Sequence, residues 1–505
     1  MFLLVKLLFA LLSAVLVYLT IRRRCHAVLA FVVVAVWLRF FLSAFHTITY
    51  EPLVAGFSIN ALASIGIAMT GLLVLPTAYY RLKRLAPIYA FFAAIVVSGV
   101  INTSVIGLIN VMVKWLFFLV IAGAIFVAMR RSGKDRVLKT LLVAFFLPVS
   151  LQIMSVLLGE VKATEADGSA SYIGGYNHEA AFSMIIAAFT LTVGLLSSAV
   201  LRGRAWLFLL GCALLVLANY RTSILAILPM AAIFLLTAIE ARVPARQKPA
   251  FFVLALGGLG IGFLLIFYSM QARFADIFVF LSSWQDLVKA PVYYTEKEKD
   301  IFSARVFIWA QYIYAYVNAD WLHHLVGMGP ESWNGVFRKY AHNTYVSYLY
   351  EYGAIGLVLF LYAVGHFLIQ AIRAPERHYA WMLCASMIGF LIMNLATMPL
   401  WNIEGLIVYA ILVGSALASG QSGTQSAGVS RPGSSPGQGG TQGAEVSQSG
   451  VSGQSSTQGA EVSKSGASGQ SGTQNAGVSR TGEPERKRIR VRAGMGQSNT
   501  AGDVT

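Results

Sequence analysis

The chain has 505 residues, 57% of them hydrophobic and only 12% charged, with a formal net charge of +16. A soluble domain typically carries about 25% charged residues, so a globular core is excluded for the first 420 positions and a polytopic membrane protein is implied. The positive balance fits basic loops that set membrane orientation rather than nucleic-acid binding, since no basic–aromatic motif accompanies it.

The first element is an apolar run over residues 1–20, with Arg22, Arg23 and Arg24 behind it. A secretory signal carries its charge ahead of the apolar region, so this reads as an uncleaved first span. A span needs about 20 apolar residues. That places thirteen near 2–20, 27–45, 54–77, 87–102, 105–128, 140–158, 178–200, 205–219, 222–239, 250–269, 345–371, 379–397 and 403–419. The connecting loops alternate in charge. One set holds Arg22–Arg24, Arg81, Lys83, Arg84, Arg130, Arg131, Lys134, Arg136, Lys139, Arg202, Arg204, Arg242, Arg246, Lys248, Arg373 and Arg377. The other set is nearly free of basic residues apart from Lys162, Arg221 and a long loop at 270–344. The basic set is expected in the cytoplasm; the long loop and the 159–177 loop then face outward, into the periplasm of a Gram-negative cell. Cys25, Cys212 and Cys384 lie far apart beside apolar runs and read as buried small side chains.

The long loop has helical periodicity around 304–317, with Val306, Trp309, Ala310, Ile313 and Val317 on one face. Its Tyr293, Tyr294, Trp321 and Trp333 suit an interfacial aromatic belt. From Ser419 the composition changes to Gly, Ser, Gln, Thr and Ala. SGQSGTQSAGVSR at 419–431 returns as SGQSGTQNAGVSR at 468–480, and TQGAEVSQSG at 441–450 as TQGAEVSKSG at 457–466. These copies have almost no large apolar residues to bury, so a disordered tail is expected over 421–505. Its basic stretch at 485–492 is suited to anionic lipid.

Three basic groups fall on the expected outer side near span ends: Arg221, Arg305 and His342. Ionisable groups at the mouth of a membrane bundle are costly to keep there and mark function. Arginine presents paired donors that match phosphate oxygens. A neutral histidine can take a proton from an attacking hydroxyl, and nearby arginines keep it neutral. Of the other histidines on that side (His46, His178, His323 and His324), His178 in Tyr176-Asn177-His178-Glu179 is the main alternative. With no ATP in the periplasm, an activated lipid-linked glycan would have to supply the energy.

These residues carry a resemblance. The Arg221-Thr222-Ser223 opening of a span, Arg305 with Trp309, Gly327-Met328-Gly329-Pro330, and His342-Asn343-Thr344-Tyr345 running into Glu351-Tyr352-Gly353-Ala354-Ile355-Gly356 are similar to the O-antigen ligase and O-antigen (exopolysaccharide) polymerase superfamily. Asn177 keeps only part of an Asn-Pro-Asn-like turn common in that family. The resemblance implies a metal-independent, inverting glycosyl transfer with no cofactor. His342 would be the general base, Arg221 and Arg305 would bind the diphosphate, and Asn343, Glu351, Trp309, Asn177 and His178 would support them. The implied partners are an undecaprenyl-diphosphate-linked glycan donor and a glycan or lipid A-core acceptor, in the bacterial inner membrane. The expected fold is all-α, with 12–13 transmembrane helices over residues 1–420, one large periplasmic loop and the tail. The reading from another class is a polytopic transporter or lipid flippase, for which the mid-span Lys114 and Arg39 are the relevant charges.

Overall fold

The structure, a computed structural model, describes residues 2–54, 56–163, 170–269, 289–301 and 304–420. The chain divides into two units, Met1–Arg431 and Pro432–Thr505; the expected disordered tail at 421–505 lies outside the described residues.

Among those residues, nine helices are long and apolar enough to cross a membrane: Phe2–Arg23, Ala27–Ala44, Lys83–Ile101, Val105–Ser132, Lys134–Leu157, Arg221–Arg242, Lys248–Leu265, Thr344–Ile372 and Arg377–Ala396. Four shorter apolar helices, Ile59–Val74, Glu179–Leu195, Arg204–Leu217 and Ile403–Ser419, stand at the remaining four expected spans. Together they give the thirteen positions in order, and the protein is an all-α, multi-pass membrane protein. The third span starts at Ile59 rather than 54, because the Pro52–Val54 and Phe57–Ser58 strands form a small hairpin and the Ser58 hydroxyl caps the helix.

The centre of the bundle is the fifth span (Val105–Ser132) packed on the thirteenth (Ile403–Ser419). Tyr409 of the thirteenth stacks on Phe118 at 4.8 Å and on Phe390 of the twelfth span at 5.1 Å. The seventh span (Glu179–Leu195) is buried almost throughout. The first and tenth spans instead expose long rows of leucine, valine and isoleucine, as lipid-facing helices do.

Loop contacts sort the two ends. At one end Lys134 pairs with Glu376, Asp135 accepts from the Ser197 N–H at 2.8 Å, and Arg84 donates to the Gly420 carbonyl at 2.7 Å. These are the basic loops of the sequence reading, gathered on one side. At the other end Lys6 donates to the carbonyls of Ala44 and Gly175 at 2.9 and 2.6 Å, and the long loop docks there.

That docking is backbone on backbone. The Met328 and Gly329 N–H groups donate to the carbonyls of Tyr350 and Glu351 at 2.8 and 3.0 Å. The eleventh span (Thr344–Ile372) breaks at Gly353, whose φ is +66°. A Cβ on Gly353 would stand 2.3 Å from the Leu325 carbonyl oxygen, and one on Gly327 (φ +76°) 2.4 Å from the Glu351 carbonyl. Only glycine allows both the positive φ and the close approach.

The loop helix Arg305–Val317 forms, but its buried face is Val306, Ile308 and Tyr312. Ile313 and Val317, expected on that face, are exposed. Tyr312 meets Phe337 at 4.1 Å and Tyr350 at 5.2 Å, and Ala315 and Tyr316 pack on the same cluster. The expected aromatic belt also divides. Tyr293 and Trp321 are exposed, whereas Tyr294 is buried against Phe307 and Trp333 packs on Trp401 at 6.1 Å.

Gly353→Ala is expected to destabilise the protein by about 1–3 kcal/mol through strain alone, and more through the clash with Leu325. A thermal melt of the detergent-solubilised variant checks this, with a fall of several degrees expected.

Candidate functional site

The site is built at the entry to the eleventh span. Asn343 caps that helix, its Oδ1 accepting from the N–H groups of Tyr345 and Val346 at 2.9 and 3.1 Å. The expected support from Asn343 is thus a helix cap, which satisfies two N–H groups that the first turn would otherwise leave unpaired. Immediately before it, His342 has φ +51°, a left-handed conformation uncommon for a residue with a Cβ. The turn at His342 is held from both sides. Trp309 Nε1 donates to the Ala341 carbonyl at 2.8 Å, and the Tyr312 hydroxyl donates to the Lys339 carbonyl at 3.1 Å. Arg305 lies one helical turn before Trp309, which puts it on the same side of the loop helix.

Burial pulls the His342 imidazole down to about 3, aided by the positive charge of Arg305, then of Lys339 and His178. Arg305, Lys339 and His178 are thus near enough to act on His342, and each favours its neutral form. Its ring lies 4.0 Å from that of Tyr340, which in turn stacks on Trp401 at 4.9 Å. Lys114 Nζ sits 4.9 Å from the Trp401 ring. Sequence reading missed Tyr340, Lys339 and Trp401, and their only signal was proximity to His342 or to a span start.

Glu351 is buried and stands apart from the histidine. Its carboxylate accepts from the Ser347 hydroxyl at 2.6 Å and the Glu331 N–H at 2.9 Å, while its carbonyl accepts from Ser98 at 2.7 Å. Glu331 in turn pairs with Lys114 at 3.0 Å and accepts from Asn110 at 3.0 Å. The mid-span Lys114 is thus a partner for the docked loop. The other buried cation, Arg39, lies 3.9 Å from Glu404 and donates to the Asn60 carbonyl at 2.8 Å.

His178 caps the seventh span, its Nδ1 accepting from the Ala180 N–H at 3.1 Å, and both Asn177 and His178 are exposed. Lys162 pairs with Glu179 at 3.7 Å and donates to the Asn177 carbonyl. Arg221 opens the ninth span (Arg221–Arg242) at this same end. Ser223, half a turn on, bonds Ser183 of the seventh span at 2.6 Å, which holds the two helix starts together. His323, expected on this side, is bonded between Asp320 at 2.8 Å and Asn102 at 3.1 Å, and fastens the loop to the bundle. Among the described residues no three His, Cys, Asp or Glu side chains converge as metal ligands would.

With this geometry in place, the comparison with known families is decisive for one stretch. Residues 206–361 match the family described as O-antigen ligase. The matched stretch runs from the eighth span into the eleventh and contains Arg221, Arg305, Trp309, His342, Asn343 and Glu351. The chain therefore resembles the O-antigen ligase superfamily, whose members are membrane enzymes of the ligase and polymerase type. Asn177 and His178 lie outside the match. No curated protein matches the chain.

Trp309→Phe removes the donor to the Ala341 carbonyl and keeps most of the ring volume. It is expected to cost about 1 kcal/mol of stability, read as a small fall in melting temperature.

Proposed function

We propose that the chain is a membrane glycosyltransferase that moves a glycan from polyprenyl diphosphate to an acceptor hydroxyl during bacterial surface polysaccharide polymerisation. The observation that carries this reading is a half-buried histidine in a left-handed turn, with Arg305 and Lys339 near enough to favour its neutral form, at the end of the bundle opposite the basic loops. In this reading the membrane is the inner one, and the positive-inside argument supports a periplasmic position for that end.

In this reading the donor diphosphate binds Arg305, with Arg221 supplying a second guanidinium. The neutral imidazole of His342 accepts the proton of the acceptor hydroxyl as its oxygen attacks the anomeric carbon. The diphosphate leaves with the bonding electron pair, and the arginines stabilise the charge it gains. The left-handed turn at His342, held by Trp309 and Tyr312, fixes where the base points. The family description favours a second reading on the same chemistry, an O-antigen ligase that joins the glycan to lipid A-core. A transporter is disfavoured by the pairing of both mid-span cations, Lys114 with Glu331 and Arg39 with Glu404, since an ion path needs groups that are able to exchange partners.

The test is a gel of surface glycans from a deletion strain complemented with wild type or His342→Ala. Loss of a general base typically lowers rate about 10²–10⁴-fold. Long chains should vanish in the variant while the protein stays in the membrane; normal chains would refute the base assignment. Lipid-linked single repeats accumulating would mark a polymerase, and long chains stranded on the carrier lipid a ligase.

The pH dependence has a definite sign. Protonation removes the base, and a lowered imidazole pKa moves that loss to lower pH. Donor kcat/KM, which reports the free enzyme, should therefore stay flat through pH 6 with no acid limb near 6.5. In the donor complex the phosphates offset Arg305 and Lys339, so the acid limb of kcat should lie at higher pH than that of kcat/KM. An acid limb of kcat/KM at 6.5 would contradict the reading.

A further inference from the structure

A cavity of about 280 Å³ lies beside His342, walled by Tyr50, Tyr176, Tyr340, Trp401, Asn402 and Glu404. Among the described residues no lysine or arginine lines it. Its carboxylate accepts from the Ser43 hydroxyl at 2.7 Å and has Arg39 behind it at 3.9 Å. A diphosphate entering this cavity would meet the Glu404 carboxylate with no lysine or arginine in the wall. Sugar hydroxyls, by contrast, donate well to carboxylate and amide oxygens. Aromatic walls suit the C–H surfaces of a sugar ring. The volume is near the lower bound of ligand cavities, about 300 Å³, which fits a terminal sugar rather than a long glycan.

The position of the cavity adds a second argument. Tyr340 is part of its wall and lies 4.0 Å from the His342 ring. His178, another neighbour of His342, borders it too. The cations that act on His342 from the loop, Arg305 and Lys339, are not in its wall. The two sides of the histidine therefore differ: Arg305 and Lys339 stand on one, and Glu404 with His178 on the other.

We infer that this cavity is the acceptor site, holding the terminal sugar of the acceptor glycan and presenting one hydroxyl past Tyr340 to His342. The inference rests on the transfer reading above and assigns the acceptor its side of the base. In the step, the hydroxyl proton passes to the imidazole and the sugar oxygen forms its bond to the donor's anomeric carbon. The bond from that carbon to the diphosphate breaks, and the diphosphate departs on the Arg305 side. Asn402 and Glu404 bind and orient the acceptor without exchanging protons with it.

The experiment uses the purified full-length protein in detergent, a lipid-linked repeat-unit donor and two acceptor probes. One probe is the repeat-unit oligosaccharide released from its carrier by mild acid; the other is core oligosaccharide released from lipid A. Ala181→Trp places a large ring in the cavity from the first turn of the seventh span, where Ala181 forms part of the wall. Asn402→Ala removes an amide from the opposite wall. Both variants should raise the acceptor KM tenfold or more and leave the donor KM within twofold. An unchanged acceptor KM, or a parallel rise in donor KM, overturns the acceptor site and leaves the transfer reading standing. Binding of each probe without donor, followed by tryptophan fluorescence, separates the two claims. Saturable binding in wild type that is lost in Ala181→Trp supports the cavity even where no transfer occurs; absence of binding by both probes overturns it. Thermal melts of the two variants confirm that they fold.

Discussion

The loop-bearing end of this protein depends on one backbone crossing. The 325–331 segment lies directly on the break in the eleventh span, with Gly327 and Gly353 each too close to the other strand's backbone for a side chain. The crossing is sealed by polar groups with no waste. Glu351 accepts from Ser347, from the Glu331 N–H and, through its carbonyl, from Ser98 and Gly329. Lys114, a cation reaching up from the fifth span, neutralises Glu331. Buried carboxylates are tolerable only when partnered in this way. Removing one partner would leave charge in an apolar setting, so the loop and the bundle behave as one unit.

From that anchor the loop helix reaches back over the start of the eleventh span. Trp309 and Tyr312 hold the carbonyls on either side of Tyr340, and Asn343 caps the helix that follows. His342 is caught between these constraints in a conformation that a free chain would rarely adopt. Its proton affinity follows from the same placement, since burial and three neighbouring basic groups act in one direction. Burial is the larger cause, and the neighbouring cations add to it. In the proposed reading, donor phosphates would offset Arg305 and Lys339 beside the base, and the acceptor would approach from the cavity side.

The internal cations show how much context alters a reading. Lys114 and Arg39 each look in the sequence like a charge stranded within a span. Each has a carboxylate partner distant in the chain, 217 positions away for Lys114 and Glu331. Glu404, the partner of Arg39, drew no notice in the sequence, although an acidic residue in the first turn of an apolar span is itself a signal. Pairing of this kind cannot be inferred from periodicity, because nothing local in either helix records which distant helix packs beside it.

The sequence by itself determined the thirteen apolar segments, their order and their alternating loop charges, because span length and loop charge are local properties set by the bilayer. It also singled out Arg221, Arg305, Trp309, His342 and Glu351 as costly or unusual residues at span ends. Only the tertiary structure decided what each one does locally: Trp309 holds a carbonyl, Asn343 caps a helix, Glu351 locks the loop, and His342 turns left-handed against Tyr340. It also decided that Ile313 and Val317 face outward, since the loop helix rests on the face of Ile308, Tyr312, Ala315 and Tyr316 instead. These outcomes depend on contacts between residues far apart in the chain, and periodicity is blind to them.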